Sequence, residues 1–169
     1  LANSRTRKRN LSVLDLGLTA ANSVTGVAAL TITGGTAKLT KAAAATVSVV
    51  NIPVPKQPID AGFEDGRIAS VSVAYSVATA GLTGAPTATL NKQTINATTG
   101  AVTTATIAGT LTFVGTNAVG TAIGDYIATF TVTAPAATAD TDALFLALTM
   151  NEAATSVLSI NGASVDYSG

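Results

Sequence analysis

The chain contains no cysteine and no histidine. The first absence removes disulfide frameworks and thiolate metal sites. The second removes the commonest general base and the commonest metal ligand. Tryptophan is missing too, and aromatic residues make up 4%, which leaves little for stacking on bases or sugar rings. Charged residues make up 11%, against the ~25% usual in soluble domains. No apolar run approaches the ~20 residues that span a bilayer as a helix, so no membrane partner is expected. There is no GxSxG, no P-loop and no dinucleotide fingerprint. The glycine-spaced stretch from Gly115 to Gly124 lacks the phosphate-loop lysine and a following helix. With so few titratable groups to tune, the sequence predicts a non-enzymatic protein with no catalytic residue, cofactor site or metal site.

Small and β-branched side chains fill the space instead. Alanine and threonine supply 33 and 29 of the 169 residues. Threonine and valine fit the pleated surface of a strand, and almost no segment has a 3.6-residue apolar period, so the fold class predicted is all-β. A chain of this length suits one domain plus an appendage and can bury roughly 70% of its unfolded surface.

Charge is neutral overall but unevenly placed. Residues 1–10 hold Arg5, Arg7, Lys8 and Arg9 and no acid, while the other residues hold five basic and nine acidic side chains, a balance of −4. That asymmetry describes a basic arm on a mildly acidic body. The arm reads as a grip for a polyanion or an acidic protein surface, or as a solvated tail.

The segments 11–18 (LSVLDLGL) and 27–33 (VAALTIT) read as short strands. Gly34-Gly35 signals a tight hairpin into TAKLT, because glycine tolerates positive φ. Lys41 to Ala45 is the one helical turn expected, and TVSVVNI follows as strand. Pro53, Pro55 and Pro58 stiffen IPVPKQPID, since each proline removes a donor and biases its predecessor to extended geometry. Three regions are therefore expected: an extended basic arm over 1–52, a connector and turn over 53–66, and a body over 67–169 that recruits strand 46–52.

Within the body, Val71, Val73, Tyr75 and Val77 alternate with serines, as do Tyr126, Ala128, Phe130 and Val132 with threonines and Leu144, Leu146, Leu148 and Met150 with small residues. Period-two alternation marks strands half buried on a sheet. GLTGAP is expected to break a strand before TATLNKQTI. Gly109 interrupts the face of Ala105, Ile107, Leu111 and Phe113 and signals a bulge or close backbone approach. Asn161-Gly162 reads either as a hairpin or as a bulge in one long strand. About eight strands from Thr46 onward, joined by short turns, predict an antiparallel β-sandwich, jelly-roll-like in preference to immunoglobulin-like.

The acids give no strong site. Glu64 and Asp65, flanked by Gly62 and Gly66, read as a solvated turn. Asp140 and Asp142 offer two carboxylates where calcium takes 6–8 oxygens, and read as a turn before the Leu144 strand. Asn10-Leu-Ser12 and Asn96-Ala-Thr98 match the glycosylation acceptor pattern, which bears on function in a eukaryotic secretory context.

TFTVTAP, ALFLALTMNEAATSVLSINGASVDY and the basic arm together resemble virion proteins of tailed bacteriophages, in particular capsid decoration and head-fibre proteins. The resemblance lies mainly in 67–169 and is one of texture, carrying no functional residue with it. It implies a small jelly roll assembled as a homo-oligomer, with a trimer favoured, fastened through its N-terminal arm to a capsid lattice protein on the outer surface of the virion. The contact residues expected on the arm are Arg5, Arg7, Lys8, Arg9, Leu11, Leu14 and Leu16. Two alternatives stand beside it: a small jelly-roll capsid protein whose basic arm touches packaged nucleic acid, and a secreted adhesin or fibre module. A mean hydropathy of +0.47 favours a chain that works among neighbours, because large exposed apolar patches mark contact sites.

Overall fold

Alternating β-branched and small polar residues extend through most of the chain, and the backbone answers with strands. The computed structural model describes residues 6–18, 24–25, 29–40, 46–56, 67–136 and 142–168, and every regular element among them is a strand. In chain order these are β1 (Thr6–Leu11), β2 (Val24–Thr25), β3 (Ala29–Thr33), β4 (Thr36–Thr40), β5 (Thr46–Val54) and β6 (Arg67–Ala78). Then come β7 (Leu82–Ile95), β8 (Val102–Ile107), β9 (Gly109–Gly115), β10 (Gly124–Ala136), β11 (Asp142–Glu152) and β12 (Val157–Ser168). The expected helical turn at 41–45 lies outside the described residues.

All pairings are antiparallel and build a two-sheet sandwich. One sheet runs β3-β4-β12-β6-β10-β9, with β1 also on β12; the other runs β2-β5-β11-β7-β8. The outer side of β12 is divided, with β4 pairing Leu158–Ile160 and β1 pairing Ala163–Ser168. The inner faces meet in one apolar core. Val71, Val73, Tyr75 and Val77 of β6 and Tyr126, Ala128, Phe130 and Val132 of β10 line one side, and Leu144, Leu146, Leu148 and Met150 of β11 line the other. These are the faces that the alternation predicts. Each fully buried Val or Leu contributes about 1.5–3 kcal/mol relative to exposure.

Asn161-Gly162 is a bulge, not a hairpin. Leu158 and Ile160 face inward before it and Ala163, Val165 and Tyr167 after it, while the register against β6 slips between Ile160 and Gly162. Gly162 takes φ +147°, and a Cβ there would stand 3.0 Å from the Leu11 carbonyl oxygen. One extra residue thus keeps a twelve-residue strand facing the core along its whole length.

Several expectations are corrected. Segment 11–18 is a turn after the end of β1, because Ser12 and Asp15 bond each other reciprocally. Asp15 Oδ2 accepts from Ser12 N at 2.9 Å and Ser12 Oγ at 2.7 Å, while Ser12 Oγ accepts from Asp15 N at 3.3 Å. The break expected at GLTGAP falls only at its start: β6 ends at Ala78, residues 79–81 connect, and β7 begins at Leu82 and runs through Pro86, which sits where the register with β11 shifts between Thr149 and Asn151. An irregularity of that kind accommodates a missing N–H. The stretch 1–52, expected as an arm that pairs with the body or with a neighbouring subunit, pairs with the body through its described strands. β1 and β4 pair with β12, β5 lies against β11, and Leu39, Val50 and Ile52 are fully buried. The connector also begins later than its prolines suggest. Pro53 and Val54 belong to β5, and the Pro55 carbonyl accepts the Tyr167 hydroxyl.

Candidate contact surface

TRKRNL has no apolar alternation, and it is a strand because β12 captures it. Arg7 stands opposite Tyr167, Lys8 opposite Asp166, Arg9 opposite Val165 and Asn10 opposite Ser164. The ladder of main-chain bonds holds the segment, and Leu11 anchors it in the core. Arg7, Lys8, Arg9 and Asn10 remain exposed. The side chain of Ser12, its backbone N–H and the charge of Arg9 all hold the Asp15 carboxyl below its ordinary pKa. Burial pushes the Tyr167 hydroxyl up, with Arg9 acting in the opposite sense.

The predicted contact residues therefore divide. Leu11 and Leu16, expected to meet a partner, are buried in the chain's own core beside Val13 and Leu18. Leu14 is 74% exposed at the outside of the Ser12–Asp15 turn. Lys8, Arg9 and Leu14 present themselves to solvent, Arg7 does so while also interacting within the chain, and Arg5 lies outside the described residues.

Lys8 and Asn10 also form one wall of a trough of about 450 Å³ on the outer face of the β12–β6–β10 sheet. Ser72 and Ala74 of β6 lie low in it, and Ile127 of β10 with Val114 of β9 makes the opposite wall. Small side chains on the central strands and larger ones on the flanks give the face its hollow. Its hydroxyls bond to their neighbours: Ser70 donates to Asp166 at 2.9 Å, Ser76 donates to Asp125 at 2.6 Å, and Ser72 and Thr129 lie 2.9 Å apart. The Asp142 carboxylate, 5% exposed, accepts from Thr94 at 2.6 Å and lies 3.7 Å from Lys92 Nζ, so it serves the fold. Asp140, Glu64 and Asp65 lie outside the described residues. Among the described residues no group of three or more acids could hold a metal ion, and no helix is long and apolar enough to cross a membrane.

Beyond the trough, Tyr75 and Tyr126 stack with centroids 5.1 Å apart. Their hydroxyls donate to the Gly120 and Ala122 carbonyls at 2.8 and 3.0 Å, pinning the loop between β9 and β10. Burial, with the neighbouring Tyr126 adding to it, pushes the Tyr75 hydroxyl far up. The pinned loop turns Val119 and Ile123 outward. Composition read region by region misses this flank, although the sequence carries a signal for it. From Gln93 to Gly124 no residue is charged.

Compared with protein-family models and with curated proteins, the chain matches none.

Proposed function

We propose that the chain is a non-enzymatic structural subunit of a virion, a capsid decoration or head-fibre-like protein that works as a homo-oligomer on the outer surface. The observation that carries this reading is the order of the long strands. β4-β12-β6-β10 faces β5-β11-β7-β8, and consecutive strands from β4 to β7 alternate between the sheets, as do β10, β11 and β12. We read that interleaving as a jelly roll, an architecture that recurs in viral capsid domains. Function lives in sites and not in folds, so the surface must support the assignment as well. What supports it there is a basic edge strand, an exposed Leu14 in the turn that follows it, and a hydroxyl-rich sheet face.

Attachment then belongs to a docked strand. Arg7, Lys8, Arg9 and the neighbouring Leu14 meet an acidic patch on the capsid lattice protein, and the apolar contact supplies much of the affinity. Cryo-electron microscopy of intact particles is the test. Density for this chain outside a shell built of another protein is the expected result. Replacing Arg5, Arg7, Lys8 and Arg9 by Ala should weaken attachment without unfolding the sandwich. If the chain itself tiles the closed shell with its N-terminus against the genome, the small-capsid-protein reading replaces this one. Absence from purified particles removes both.

A further inference from the structure

We propose that β9 is a homotypic interface, pairing antiparallel with β9 of a second copy across a two-fold axis at Thr112. This deepens the structural-subunit reading and rests on it for self-association, but not for where the assembly attaches.

β9 ends its sheet: one edge pairs with β10 and the other has no strand beside it among the described residues. Open edges are ordinarily guarded by charge, proline or shortness, because their free N–H and C=O groups recruit other strands. The opposite side of this sheet carries Arg7, Lys8 and Arg9 on β1 and Lys38 on β4. β9 is seven residues long, GTLTFVG, with neither charge nor proline. Its neighbour β8, the end strand of the other sheet, is equally uncharged. Among the described residues, five of the nine exposed large hydrophobic ones fall within the uncharged run 93–124, Val114 at 72% among them, and Ile127 lies directly opposite Val114.

The sequence of β9 selects its partner. Read outward from Thr112 it is a near-palindrome: Leu111 balances Phe113, Thr110 balances Val114, and Gly109 balances Gly115. Antiparallel pairing on a two-fold axis sets residues that balance each other in opposition. Leu111 of one copy then faces Phe113 of the other on the inner side, where both are only partly buried against their own core. Thr110 faces Val114 on the outer side, and Thr112 faces itself. These are the aromatic–aliphatic and β-branched cross-strand pairs that stabilise sheets. A parallel partner, or an unrelated strand, would lose the match.

Neutrality points the same way. In an isologous contact every charge approaches its own copy or a symmetry-related neighbour, and like charges directly opposite are destabilising. An uncharged flank avoids that penalty, and it offers nothing to a partner chosen for its charge. The axis stands perpendicular to the sheet, so both copies keep the second sheet on the same side and β8 faces its counterpart, again without charge. This two-fold contact differs from the three-fold closure that the resemblance to phage proteins implies.

Sedimentation velocity on the full chain tests the proposal, with Thr112→Lys and Thr112→Cys as variants. The unaltered chain should sediment as a dimer. Thr112→Lys places two ammonium groups together at the axis and should raise the dimer dissociation constant by up to roughly fivefold, with an unchanged far-UV spectrum because the site is exposed. The natural chain has no cysteine, so Thr112→Cys should give a disulfide-linked dimer on mild oxidation, whereas Thr31→Cys on the opposite edge should not. The cysteine variants decide the matter even if Thr112→Lys perturbs folding. A monomeric chain, a trimer, an oligomer indifferent to Thr112→Lys, or a failure of Thr112→Cys to cross-link would each overturn the β9 interface. Each would leave the virion reading to its own localisation test.

Discussion

Phe130 and Gly109 occupy one volume between them. A Cβ at residue 109 would stand 2.4 Å from Phe130 Cε1 and 2.5 Å from the Thr131 carbonyl oxygen, so the ring fills the space that a side chain there would need. Gly109 is also where the chain, leaving β8 in one sheet, enters β9 in the other. The crossing is tight because the residue is small. Phe130 is 3% exposed, and Phe130→Ala should cost about 3–5 kcal/mol, the transfer free energy of the ring plus the cavity it leaves. A fall in the denaturant midpoint at unchanged slope reads that cost; an unchanged midpoint would place the ring outside the core. At this scale the sequence is a good guide. Strict alternation gives the inward face of Phe130, and a glycine interrupting an apolar face gives the close approach. Which ring comes close cannot be read there, because residues 109 and 130 meet only through the β9–β10 register.

Elements are legible where their pattern is long and obscure where a local bond competes with it. β6, β10 and β11 alternate over many residues and fold as read. The segment 11–18 has leucines and a valine enough for a strand, yet Ser12 and Asp15 offer its backbone an alternative, as short polar side chains do. Leu16 N then bonds the Ser12 carbonyl at 3.2 Å, Gly17 turns with φ +55°, and Val13, Leu16 and Leu18 plug the core. The serine–x–x–aspartate spacing was the signal, and the apolar residues around it masked it. This turn should loosen in acid. The folded-state pKa of Asp15 is lowered, first by the Ser12 side-chain bond. Its contribution is therefore present above the ordinary carboxylate range and is lost as pH falls through the folded pKa. The protection factors of the Leu16 and Gly17 amides, each referred to the intrinsic exchange rate at that pH, should fall as pH drops through the folded pKa, and Asp15→Asn should abolish that dependence. A flat profile in the unaltered chain would show that the reciprocal bonds do not hold the turn.

At the scale of the whole molecule, the prolines at 53, 55 and 58 suggest a boundary that the sheets do not respect. A connector and an edge-strand terminus look alike in sequence, since both tolerate a residue without an N–H. The same ambiguity blurs the contact residues: a segment that reads as leaving the body carries leucines that belong inside it. Two truncations separate these roles. A chain beginning at Leu11 loses the exposed strand residues Arg7, Lys8, Arg9 and Asn10, keeps Leu11, Val13, Leu16 and Leu18 in the core, and should fold with an unchanged far-UV spectrum. Its loss should appear in attachment alone. A chain beginning at Pro53 loses β4 and nearly all of β5, hence Ala37, Leu39, Val50 and Ile52, each at most 1% exposed, together with the plug of 11–18. At about 1.5–3 kcal/mol for each large apolar side chain, that deficit reaches or exceeds the 5–15 kcal/mol by which a whole domain is stable. It also strips β11 of one neighbour and leaves Leu144, Leu146 and Leu148 under an open edge. The longer truncation should therefore be unfolded or insoluble. Circular dichroism of both, beside a particle-binding assay of the shorter, measures whether the basic strand is the detachable part and the rest of the N-terminal third is body. A folded, soluble chain from Pro53 onward would restore the boundary to the prolines.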